Sequence, residues 1–97
     1  MTISILTLAP GTFDYSDGFA VFKEVEPYLV SAQEVRVDYH GTGGLSTSFL
    51  NGFLGEAFDR FGVEKVKSYV KMARLSTAQA DMLRRYAAQY LELKNRA

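Results

Sequence analysis

The chain of 97 residues contains no cysteine. That excludes disulfides, zinc fingers, other thiolate zinc sites and cysteine nucleophiles, and it fits a reducing compartment. Proline is limited to Pro10 and Pro27, both in the first third, and no repeat, low-complexity tract or Pro/Gly/Ser-rich linker divides the rest. A single domain over 1–97 is therefore expected, close to the usual domain size of about 100–150 residues. Fully apolar runs last only a few residues, far short of the ~18–20 that cross a bilayer. The N-terminus has no basic stretch ahead of an apolar one, so the expectation is a cytoplasmic protein with no membrane partner. Net charge is also missing. Eleven basic and eleven acidic residues cancel, and no overall field draws the chain to nucleic acid. Histidine occurs once, as His40; with Asp38 alone beside it, too few ligands are present for a metal.

What remains is a composition of 47% hydrophobic and 23% charged residues, that of a globular domain and not of a disordered chain. A domain this short buries only about 60–65% of the surface of its unfolded chain, which leaves little room for a deep enclosed active site. The β-branched and apolar run 3–8 predicts a first strand, ended by Ala9-Pro10-Gly11. Asp14, Ser16 and Asp17 offer N-caps, and Phe19, Phe22, Val25 and Leu29 recur at helical spacing. A helix over about 17–31 follows, with Pro27 either kinking it or starting a second short helix. The alternation Val35-Arg36-Val37-Asp38-Tyr39 predicts a second strand.

From Ser46 or Thr47 a helix is expected to run to Phe61, its stripe formed by Phe49, Phe53, Leu54, Ala57, Phe58 and Phe61, with Gly62 as C-cap. Gly52 and Gly55 each weaken such a helix by ~1 kcal/mol. They imply that a strand or a partner packs closely there. Residues 66–72 alternate again and predict a third strand at a sheet edge, with Lys67 and Lys71 on one side. Ser76-Thr77-Ala78-Gln79 has capping-box spacing and opens a last helix, with Lys94 and Arg96 near its end to complement the dipole. The order β-α-β-α-β-α implies an α/β layer on a small, mostly parallel sheet.

The segment from Val35 to Phe49 joins a strand, a glycine-rich loop and three hydroxyl residues at a helix start. In open α/β sheets, ligands and partners meet the fold outside the carboxyl ends of strands. In the plainest reading, Ser46, Thr47 or Ser48 caps the helix and the glycines shape the turn. A phosphate-cradling loop is a second reading, but no Lys stands at the helix start to hold a nucleotide's phosphates. A serine hydrolase is a third. Gly44-Leu45-Ser46-Thr47-Ser48 lacks the last glycine of a nucleophile elbow, and His40 stands six residues before Ser46. A fourth reading is a switch: a Ser or Thr in the first helical turn carries phosphate without unfolding the helix, yet adds about −1.5 to −2 charges.

On these residues the chain resembles the STAS-like family of small bacterial and phage proteins and, more distantly, the STAS anti-sigma factor antagonists. The stretch Val35–Phe58 carries the resemblance: a strand ending in Asp38, a short loop, and a helix beginning with Ser or Thr. The flanking helix 17–31, strand 66–72 and helix 76–95 match the family's order, so most of the chain is covered. The antagonists open this helix with Asp-Ser-Ser-Gly, whose second Ser is phosphorylated by a partner kinase. On that motif Ser46 stands at the Asp, Thr47 at the first Ser, Ser48 at the phosphorylated Ser and Phe49 at the Gly. The hydroxyl positions agree, and the Asp and Gly do not.

The resemblance implies a non-enzymatic protein-interaction module, with no cofactor, acting in partner-switching regulation with a kinase-like ATPase or an anti-sigma-like protein. Ser48 and Thr47 are its phosphorylation candidates. The docking set is Asp38, His40, Gly43, Gly44, Ser46 and Phe49, with Glu56 and Asp59 as an acidic side for a basic partner. Two alternatives stand beside it: a constitutive adaptor or inhibitor encoded by a phage or mobile element, and a small anion- or nucleotide-binding domain at the same loop. Charge is unevenly spread. Residues 1–59 hold eight acidic side chains against Lys23 and Arg36, and 60–97 hold nine basic ones against Glu64, Asp81 and Glu92. Either the halves pair within the fold or they offer two charged faces. Tyr86 and Tyr90, four apart, either pack on the sheet or form a patch for a homodimer.

Overall fold

In the computed structural model, which describes residues 1–11 and 14–96, the alternation around Val35 becomes the central strand of a parallel sheet. The strands are β1 (Thr2–Ser4), β2 (Val35–Asp38) and β3 (Val70–Ala73), in the order β1-β2-β3. Register pairs Ile3 with Val37 and Val37 with Met72, while Thr2 faces Arg36 and Arg36 faces Lys71. Side chains alternate between faces. Ile3, Val35, Val37 and Val70 are therefore buried under the helices, while Thr2, Arg36 and Lys71 lie exposed on the opposite face. β3 is an edge strand, as the sequence predicts.

Two strand expectations need correction. The run 3–8 does not continue as a strand: Ser4 turns it into a single helical turn, α1 (Ile5–Leu8), by accepting the Thr7 N–H at 3.4 Å. Residues 66–69 belong to a helix, α5 (Val63–Tyr69), and only Val70 onward joins the sheet. Lys67 is thus helical and Lys71 lies in β3.

The helix α2 (Tyr15–Val30) starts at an Asp14 cap and runs through Pro27 without a break. Pro27 sits in its last turn, where the acceptor it leaves unpaired belongs to exposed Lys23. The helix after the loop spans 47–61 in three parts: α3 (Thr47–Leu50), a π turn (Asn51–Gly55) and α4 (Glu56–Phe61). Phe49, Phe53 and Ala57, and likewise Leu50, Leu54 and Phe58, are buried at intervals of four. A spacing of four overshoots a turn of 3.6 residues; the wider i→i+5 turn takes up the excess and keeps both rows on the core. Gly62, at φ 86°, ends the helix as expected.

The close packing inferred at the glycines comes from another helix, and neither a strand nor a partner is involved. A Cβ on Gly52 falls 2.1 Å from the Tyr15 carbonyl oxygen, and one on Gly18 falls 1.9 Å from that of Phe49. The α2 helix and the 47–61 helix therefore cross backbone to backbone. The final helix, α6 (Thr77–Arg96), lies along the 47–61 helix, with Leu83 buried and Tyr86 and Tyr90 beside Phe58. Lys94 sits 5.9 Å from the Tyr90 ring centre, while the side chain of Arg96, expected to complement the helix dipole, lies outside the described residues.

Candidate functional site

The loop between β2 and the 47–61 helix is tied at both ends. At the strand end, Asp38 accepts the His40 backbone N–H at 3.0 Å and the Arg74 Nε–H at 3.0 Å, and Arg74 Nη2 donates to its second oxygen. The Arg74 guanidinium, and next the His40 amide, hold the Asp38 carboxyl down to about 2. Asp38 is thus spent on holding Arg74, whose backbone has a positive φ of 55°. In the middle of the loop, Thr42 donates its hydroxyl to the Tyr39 carbonyl at 2.6 Å, and Gln79 donates its amide to Thr42 Oγ1 at 2.8 Å and to the Gly43 carbonyl at 2.7 Å. Gln79 also completes the capping box: its Oε1 accepts from Ser76 N at 2.9 Å, and its own N–H donates to Ser76 Oγ at 3.0 Å.

At the helix end, Ser46 is the N-cap, accepting the Phe49 N–H at 3.0 Å. Thr47 and Ser48 follow in the first turn, both exposed. His40, Gly43 and Gly44 are exposed as well. Phe49, grouped with the docking residues on the sequence, is instead fully buried. Its ring packs at 6.3 Å from that of Phe53, so it anchors the helix start in the core and presents no surface. Asp38 is likewise mostly buried.

Glu56 and Asp59 form the wall of a groove of about 430 Å³ between the start of α2, the 47–61 helix and α6. Thr47 lines it too, whereas Ser48 and the loop residues do not. Three phenols cross-brace this groove: Tyr15 donates to Glu56, Tyr86 to Asn51 at 2.7 Å, and Tyr90 to Asp59. The Asp59 hydrogen bond, helped by partial burial, pushes the Tyr90 phenol up to about 12. The Tyr15 phenol is raised by its bond to Glu56, and the Tyr86 phenol chiefly by burial. Arg60 reaches Glu56 at 3.3 Å and Glu26 at 3.6 Å and lies 5.0 Å over the Phe22 ring. Arg60 and Arg74, both from the basic part of the chain, thus pair with acids of the acidic part.

The tyrosine braces and the loop tie from Gln79 go beyond what sequence reasoning finds. Tyr86 and Tyr90 do not pack on the sheet; they face the 47–61 helix beside Phe58. Among the described residues, no three His, Cys, Asp or Glu side chains gather where a metal could be held, and no helix is long and apolar enough to cross a membrane.

Comparison with known proteins agrees with the fold. No curated protein and no solved structure matches the chain. A family model described as a STAS-like domain of unknown function (DUF4325) matches residues 17–79, which takes in all but the first two residues of α2, all of β2 and β3, the tied loop and the 47–61 helix. With that span and a small parallel sheet covered by helices, the chain belongs to this family of STAS-like domains.

Proposed function

We propose that this domain is a protein-interaction module, without catalytic activity of its own, that works in partner switching with a kinase-like ATPase or an anti-sigma-like regulator. One observation carries the reading. Ser46 supplies the helix cap, so Thr47 and Ser48 are exposed hydroxyls that capping does not require. A phosphate there adds about −1.5 to −2 charges at a helix start, where negative charge is favourable. The surrounding surface is held in shape by the Asp38–Arg74 pair and by Gln79, which suits a docking face.

Affinity capture of the tagged protein from its host, with intact-mass analysis, tests this. The expected result is a stoichiometric regulator partner and an adduct of about 80 Da mapping to Ser48 or Thr47, as one phosphate gives. Ser48→Asp should weaken partner binding, while Ser48→Ala should retain it. A partner held with equal affinity by Ser48→Asp removes the switch and leaves a constitutive adaptor or inhibitor. Saturable binding of phosphate or a nucleotide by the protein alone, with no partner recovered, overturns the proposal in favour of an anion-binding domain.

A further inference from the structure

We infer that a second groove, between β3, α5 and α6, is a binding site for a small amphiphile with a carboxylate head. It lies on a neighbouring face of α6 from the tyrosine-braced groove and has about 330 Å³ of space, within the range of about 300–1,000 Å³ usual for small-molecule sites. Leu54 and Phe58 of the 47–61 helix, Val66 of α5, Val70 and Met72 of β3 and Leu83 of α6 form its apolar surface. Its polar lining residues are Lys67 on α5 and Arg84 on α6, both cationic, and among the described residues no acidic side chain lines it.

The groove is a product of how α6 is attached. Gln79 ties the helix start to the loop, and Tyr86 and Tyr90 tie its middle to Asn51 and Asp59. Each of these bonds draws α6 toward the loop or the 47–61 helix, and none draws it onto the edge strand β3. Met72, Leu75 and Ala87 consequently pack against the core while staying partly exposed. An apolar tail laid there displaces water from these side chains, while its head meets positive charge from two different helices. Among the described residues, Arg84 has only a 3.5 Å contact with Asp81, whose other oxygen Arg85 holds at 2.9 Å. Its guanidinium is therefore open to a ligand carboxylate. A cationic head of the same size meets repulsion instead.

The test is an amide-detected NMR titration of the full chain with decanoate below its micelle concentration, run beside decyltrimethylammonium, which has the same tail and the opposite charge. Decanoate is expected to bind saturably, to shift amides in 66–72 and 80–87, and to bind at least about tenfold more tightly than the cation. The double variant Lys67→Glu/Arg84→Glu changes two exposed side chains and should leave the fold intact. It should lower decanoate affinity at least about tenfold and raise that of the cation. Non-saturable binding, shifts centred elsewhere, equal affinity for the two heads, or indifference to the double variant each overturns the assignment.

Discussion

Asp38 shows how one side chain can be withdrawn from a surface by its neighbours. Its place at the carboxyl end of β2 suggests a docking residue, yet Arg74 and the His40 amide claim both oxygens. With a folded value of about 2 against about 3.9 in an unfolded chain, the carboxyl is bound more strongly as an anion in the folded state. That contribution is complete above the unfolded value and is lost as pH falls through the folded one. The difference in Tm between the wild type and Asp38→Asn should therefore hold steady above about pH 5 and narrow between about pH 4 and pH 2. A difference unchanged down to pH 2 would contradict the pairing. Arg74 was not singled out on the sequence, because nothing in a linear chain says which of eleven cations meets a given carboxylate.

At the scale of elements, local signals were legible and competing periods were not. The Ser76–Gln79 capping box, the helix start at Ser46 and the alternation of β2 all depend on neighbours in sequence, and all appear where expected. The segment 66–72 misleads because Val66 and Val70, both buried, stand four apart, a spacing that suits one helix face and one strand face alike. The run at 3–8 misleads because apolar composition hides the capping capacity of Ser4. Gly52 and Gly55 did announce close approaches, though their partners, the α2 backbone for Gly52 and the Tyr86 hydroxyl for Gly55, could not be named without the fold. Gly18→Ala and Gly52→Ala both drive a Cβ into backbone oxygen, which cannot rotate away. Each should cost about 3 kcal/mol or more in urea denaturation. Gly55→Ala crowds the Tyr86 hydroxyl at 2.7 Å, the end of a movable side chain, with its next neighbour at an ordinary 3.8 Å, and should cost far less than either.

Over the whole molecule, the family match covers 17–79, while the three bracing phenols, Tyr15, Tyr86 and Tyr90, lie on either side of it. Their acceptors Asn51, Glu56 and Asp59 lie within it. The segments flanking the matched core are thus fastened to one helix by protonated phenols. Folding favours the protonated form of Tyr90, so its contribution is complete below the unfolded value of about 10 and is lost as pH rises through about 12. Tyr90→Phe should lower stability at neutral pH and lose less of it than the wild type between about pH 10 and pH 12, as followed by circular dichroism. Equal losses would show that Asp59 does not hold this phenol. The crossing of Gly18 and Gly52 has a consequence for signalling across the molecule. It splints the 47–61 helix a few residues after Thr47 and Ser48, with no slack for a shift or rotation. A charge added at that helix start, under the proposed switch, alters the field a partner meets and not the shape it fits. Release by phosphate should then be reversed, in part, by salt, which screens the added charge.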